Sequence, residues 1–256
     1  MGRFDHIAQE DPQAGAQPRD EYGCDHFLEQ AARELRRGRY EVALKGYGRA
    51  LERDRVRPEA WAGQARALLE MGQPQEALTW LEQAVRVAGE KPVFHALRAI
   101  ASARLGQQED ALAWSDRAMR LGPDEPDVWL ARAEALYLQG QGPAARRCLD
   151  KAHEREPGGD TARRCGELAL GAGDLPHART WLERALARGP EDPLVALRLG
   201  VYWERAGDLT RARVELQRAL ALEPSLTAAS LALADLRGRG LWDRTRAWMR
   251  RLLNGP

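Results

Sequence analysis

Small and apolar residues recur along this chain at the offsets of paired helices. In residues 193–226, with Pro193 as position 1, Leu199 and Gly200 stand at positions 7 and 8 and Trp203 at 11. Gly207 follows at 15, Ala212 at 20, Leu216 at 24, Ala219 at 27 and Pro224 at 32. This spacing predicts two helices separated by a tight turn at Gly207, where glycine tolerates a left-handed conformation. Small residues at 8, 20 and 27 let the two helices cross closely, while the larger residue at 24 fills the space beside them. Proline near 32 ends the second helix before another unit begins.

The unit repeats. Glycines that close the first helix of each pair fall at Gly38, Gly72, Gly106, Gly140, Gly173, Gly207 and Gly240, at intervals of 34, 34, 34, 33, 34 and 33. Position 20 is Ala43, Ala77, Ala111, Ala145, Ala178 and Ala212, and position 27 is Ala50, Ala84, Ala118, Ala152, Ala185 and Ala219. Position 24 holds Tyr47, Leu81, Ser115, Leu149, Leu182 and Leu216, with Ser115 the weak member. Pro123, Pro157, Pro190 and Pro224 end their units, whereas Arg55 and Gly89 make the first two boundaries softer. The expected division is a flexible arm over 1–23, then repeats 24–57, 58–91, 92–125, 126–158, 159–192 and 193–226. A degenerate cap over 227–253 completes the 24–253 array; in it Leu241, Thr245, Trp248, Met249 and Leu252 form one face and Arg244, Arg246, Arg250 and Arg251 meet water.

These residues resemble the tetratricopeptide repeat, whose 34-residue pattern runs W-x2-L-G-x2-Y, then A-x3-F, then P. Ala196 stands where that pattern has Trp. The resemblance implies an all-α fold, a right-handed solenoid superhelix of antiparallel helix hairpins. A repeat array grows along one axis, so 256 residues form one elongated domain.

Composition narrows the function. The 39 basic and 38 acidic residues leave a net charge of +1, so no global field attracts nucleic acid. All basic residues except Lys45, Lys91 and Lys151 are arginine, a bias read as codon usage in a GC-rich bacterial genome. Three irregularly spaced cysteines, Cys24, Cys148 and Cys165, argue against a disulfide framework and fit a reducing compartment. Without a signal-peptide core or a long apolar run, the expected location is the cytoplasm, with no membrane insertion. In the arm, Phe4 and Ile7 are the sizeable apolar residues before Tyr22, and docking of the pair on the solenoid or a partner is the alternative to a disordered leader.

No chemistry emerges from the motifs. His6, His26, His95, His153 and His177 are scattered, without zinc-site spacing, and the glycines belong to the repeat turns rather than to a phosphate loop. No catalytic pair, metal site or cofactor is expected, and the chain is read as non-enzymatic. The stripe Trp80, Trp114 and Trp181 at position 23 is read as packing at the seam between the second helix of each unit and the neighbouring repeat.

In the tetratricopeptide family the first helix of each unit lines the inner surface, with positions 2, 5, 9, 12 and 13 facing the groove. Carried onto this register, the groove presents Arg66, Leu69, Ile100, Arg104, Leu130, Glu134 and Tyr137. It continues through Arg163, Glu167, Leu170, Leu197, Val201, Glu204 and Arg205, with Arg164 and Arg198 close by at position 6. Some members clamp a partner's terminal carboxylate with Lys, Asn and Arg at fixed positions; Leu28, Ala32, Gly63, Val93 and Leu97 occupy those slots here, so the clamp is absent. The apolar lane Leu69, Ile100, Leu130, Tyr137 and Val201, flanked by Arg and Glu, suits an amphipathic helix or extended peptide of a partner protein. The resulting expectation is a protein-interaction adaptor or assembly scaffold with Tyr137 as its main anchor. The alternative is a self-assembling structural scaffold, a homo-oligomer through the solenoid ends or the arm. An RNA-binding helical repeat is a third reading, against which the neutral charge and mixed-sign groove speak.

Overall fold

The computed structural model describes residues 23–236. Six helix hairpins follow one another: α1 (Cys24–Arg36) with α2 (Tyr40–Arg53), α3 (Pro58–Glu70) with α4 (Pro74–Ala88), and α5 (Pro92–Arg104) with α6 (Gln108–Leu121). Then come α7 (Pro126–Leu138) with α8 (Gly142–Arg155), α9 (Gly159–Gly171) with α10 (Leu175–Arg188), and α11 (Pro193–Arg205) with α12 (Leu209–Leu222). Residues 227–236 are helical again. The arm motif Phe4 and Ile7 and the cap residues from Leu241 onward lie outside the described residues. The fold is the all-α solenoid that the repeat pattern implies.

Local chemistry explains the hairpins. Pro58, Pro92, Pro126 and Pro193 sit at the first helical position, where their missing N–H is no loss. At the other end of the odd-numbered helices, Gly38, Gly72, Gly106, Gly140, Gly173 and Gly207 all take φ between 73° and 85°. Each turn closes with a paired bond pattern; in the first, Gly38 N–H donates to Leu35 C=O and Arg39 N–H to Glu34 C=O.

Packing follows from side-chain size. Every alanine at positions 20 and 27, from Ala43 to Ala219, is fully buried. A Cβ added to Gly200 would stand 2.7 Å from Leu216, so small at position 8 and large at 24 are two halves of one contact. Ser115 is equally buried; its hydroxyl donates to Leu112 C=O and accepts from Arg132 of the next repeat. Trp80 and Trp114 pack within their own hairpins. Trp80 lies 4.8 Å from Trp61 of α3, and Trp114 is stacked on His95 of α5 at 5.5 Å with the Arg98 guanidinium 3.8 Å from its ring. Trp181 instead meets His153 of the preceding repeat at 5.1 Å.

The odd-numbered helices also touch one another, α1 with α3, α3 with α5, and so on to α11. They therefore form the inner layer, and the even-numbered helices the outer one.

Candidate functional site

The inner layer is not an open trough. The turn between α1 and α2 reaches across to the sixth hairpin and the helix after it. Arg39 donates to Glu223 at 2.8 Å, and the Glu223 side chain is 5% exposed. The Gly38 backbone lies against the Leu194 and Leu226 side chains, so closely that an added Cβ would be 2.6 Å from Leu226. Leu194 and Leu226 are both buried. A second cross-link joins Arg198 of α11 to Glu70 of α3 at 3.4 Å. The first and last hairpins meet, and the inner face surrounds a cavity of about 500 Å³.

Charged residues from five repeats interlock on its wall. Asp127 of α7 accepts from both Arg66 of α3 and Arg164 of α9. Arg163 is buried and donates to Asp160 at 2.7 Å and Glu167 at 3.2 Å. Glu167 also accepts from Arg198 at 2.6 Å. Arg104 donates to Leu69 C=O and approaches Glu70 at 3.6 Å and Glu134 at 3.9 Å.

Burial works against the charge on Asp160, yet Arg163 and Arg164 prevail and hold its carboxyl down at about 2. Glu134 is the opposite case. Burial outweighs the pull of Arg104, and the negative charges of Glu167 and Glu70 add to it, so its carboxyl is pushed up to about 7. This glutamate changes charge near neutrality.

Of the residues the repeat register assigned to a groove, Arg66, Leu69, Ile100, Arg104, Leu130, Glu134, Arg163, Arg164 and Glu167 line this cavity. Arg198 joins them through Glu70 and Glu167. Tyr137 lines a second cavity of about 450 Å³, which shares Arg104, Glu134 and Glu167 with the first. Its hydroxyl donates to Asp174 at 3.1 Å, and Asp174 is also bonded to His177 at 2.8 Å. Arg104, Glu134 and Glu167 of the charged cluster thus border both cavities.

The apolar lane is divided: Leu69, Ile100 and Leu130 line the first cavity, Tyr137 the second, and Val201 packs between two core clusters. Leu197 belongs to the core between α11, α12 and the helical residues 227–236, and Arg205 donates to Leu170 C=O. Leu197, Val201, Glu204 and Arg205 line neither of these two cavities. Arg36, Asp127 and Asp160 also line the first cavity; they stand at positions 13, 2 and 2 of their repeats, which the register assigns to the groove although these three were not singled out there. Tyr40 and Tyr47 line it from outside those positions. Tyr40 and Tyr47 come from an outer helix, α2, and are seven residues apart on one face of it. The sequence signal was their shared helical face, together with Gly63 against which the Tyr47 ring lies; a Cβ at Gly63 would be 2.3 Å from that ring.

Among the described residues no helix is long and apolar enough to cross a membrane, and no cluster of three metal-ligating side chains occurs. Cys148 and Cys165 are buried free thiols, and Cys165, pushed up to about 12 by burial, is a packing residue.

Three family models, each described as tetratricopeptide repeat, match residues 34–101, residues 166–230, and residues 92–117 with 126–151. No curated protein matches the chain. Among solved structures, a thermophilic TPR protein of Thermus thermophilus is 25% identical, with 73% of this chain and 100% of that one covered and a TM-score of 0.56. A tetratricopeptide repeat protein from Parabacteroides merdae is 14% identical over 86% of this chain and 87% of its own, with a TM-score of 0.56. A human IFIT1 dimer with m7Gppp-AAAA is 19% identical over 86% of this chain and 65% of its own, with a TM-score of 0.57; these two share the fold alone. With 34-residue hairpins, glycine-closed first helices and these matches in three parts of the sequence, the chain belongs to the tetratricopeptide repeat family.

Proposed function

We propose that this chain is a non-enzymatic protein-interaction scaffold that receives a short segment of a partner rather than a long amphipathic helix. Its family supports the first half of that reading, since stacked helical repeats generally serve as scaffolds for partner proteins. The closed inner face supports the second half. The cavity of about 500 Å³ has the size of a small-ligand site, which suits a few residues of a partner. Apolar Leu69, Leu97, Ile100 and Leu130 would supply affinity and the surrounding charges register.

Site-specific photocrosslinking tests this. A benzoylphenylalanine placed at Arg36, beside the cavity, should capture one defined peptide of one partner, identified by mass spectrometry. The same probe at Val42, which is 50% exposed on the outer layer, should not. Capture of the same peptide at 42 and not at 36 would overturn the cavity reading.

A further inference from the structure

The hydrogen-bonding capacity around the first cavity is unevenly spent. Three of its carboxylates on α7 and α9 are engaged, Asp127 by two arginines, Asp160 by Arg163 and Glu167 by Arg163 and Arg198. Glu134 on α7 has only Arg104 at 3.9 Å and a buried Oε2 without a partner among the described residues. The wall built by the first repeat is different. Tyr47 is 4% exposed and lines the cavity, and its hydroxyl has no hydrogen-bond partner among the described residues. Its oxygen is also absent from the solvent-sealed polar atoms, so it opens on the cavity rather than into packed protein. Tyr40, on the same face of α2, lines the cavity in the same state. Arg36, at the end of α1, lines it too and makes no ion pair with any described residue. These are three donors without acceptors on one wall.

The two ends of that wall are electrostatically distinct. At a rise of 1.5 Å per residue, Tyr40 and Tyr47 are about 10 Å apart along the helix. Burial raises the Tyr47 phenol above its ordinary range, and the charges that bear on it are two cations, Arg66 and Arg36. Tyr40 instead faces a mixture, Glu70 and Glu167 against Arg198 and Arg163. The lining also includes half-buried Leu35 and the covered side chains of Leu69, Leu97, Ile100 and Leu130, which are 1 to 6% exposed.

We propose that this cavity is a binding site for a small carboxylate with an aliphatic body, its head held by the Tyr47 hydroxyl, Arg36 and the free side of Arg66, its body on the leucine and isoleucine wall. A single negative charge suits the site, because Asp127 already neutralises part of Arg66 and a doubly charged phosphate would lie against it. The volume is within the 300 to 1,000 Å³ usual for small-ligand sites. The proposal goes beyond the scaffold reading and stands or falls separately from it. Arg36 and Tyr47 stand at positions 13 and 24 of the first repeat, which are not among the positions at which other family members hold a partner's terminal carboxylate; Arg66 stands at position 9 of the second repeat, which is.

Titration calorimetry with the full chain tests it, using sodium octanoate as probe, neutral octanamide as its uncharged analogue, and acetyl-dileucine as a chain-end carboxylate. Octanoate should bind saturably with one site, and octanamide at least about tenfold more weakly. Tyr47→Phe keeps the ring against Gly63 and Arg36→Gln changes an exposed residue, so both variants fold; together they should weaken octanoate roughly tenfold, the scale of losing charge-assisted bonds. Binding of acetyl-dileucine alongside octanoate assigns the site to this chemistry from either source, and binding of octanoate alone assigns it to a free small molecule. No octanoate binding, acetyl-dileucine binding alone, octanamide as tight as octanoate, or unchanged affinity in the double variant would each overturn the proposal. Crosslinking at position 36 remains the separate test of whether a partner segment enters the same cavity.

Discussion

Arg39 and Glu223 are 184 positions apart in the chain and joined by a hydrogen bond of 2.8 Å. Their pairing brings the first and last complete hairpins together and turns a trough into a cavity. Reversing either charge, by Arg39→Glu or Glu223→Arg, should open the array and raise its radius of gyration in solution scattering. The double variant should restore the wild-type value. If all four proteins scatter alike, the bridge does not hold the array closed.

Gly38 separates closure from ordinary turn strain. Gly38 and Gly106 have almost the same φ, 77° and 74°, but only Gly38 has a neighbouring side chain within 4 Å of an added Cβ. Gly106→Ala should cost about 1 kcal/mol for the left-handed backbone alone. Gly38→Ala should cost clearly more, because Leu226 must also move. Urea unfolding of the two variants measures the difference, and equal losses would argue against the close contact.

Glu134 makes stability depend on pH. Its carboxyl is raised from 4.5 to about 7, so the folded state holds the proton more tightly than the unfolded chain does. Its contribution is fully present below about pH 4.5 and is lost as pH rises to about 7. Glu134→Gln does not titrate. The stability of the variant relative to wild type should therefore rise across that window, by an amount on the order of 2 kcal/mol. A parallel pH profile for the two proteins in urea titrations would contradict the assignment.

His95 acts in the other direction. It is 2% exposed, stacked on Trp114, and neither ring nitrogen has a hydrogen-bond partner among the described residues. Burial lowers its pKa, and Arg98 and Arg117 reinforce this against Glu90. The neutral ring is favoured in the fold, so its contribution is present above about pH 6.5 and is lost as pH falls below it. His95→Phe keeps the stack and removes the titration. Its melting temperature should fall less than that of wild type between pH 7 and pH 5.

The fold could be read from the chain because its rules are local. A glycine that must turn left, an alanine that must let two helices cross and a leucine that must fill the gap beside it all act within 34 residues. The inner surface was legible only in part for the opposite reason. The ties Arg66 to Asp127, Glu70 to Arg198 and Arg39 to Glu223 span 61, 128 and 184 positions. They depend on small rotations accumulated over several hairpins, which no single repeat encodes. Register alone therefore placed Leu69, Ile100 and Leu130 near one another but could not show that the far end of the array returns to meet them. It likewise assigned Tyr47 to a packing role at position 24, which the ring fulfils, and gave no sign that the hydroxyl at its tip opens on a cavity.

A linear stack of repeats loses structure from its ends, because an end repeat has one neighbour where an inner repeat has two. Contact between the first turn and residues 194, 223 and 226 gives each end hairpin a second neighbour. Amide hydrogen exchange in α2 and α12 should accordingly slow toward the values of α6 and α8, and unfolding should become a single concerted step rather than progressive fraying.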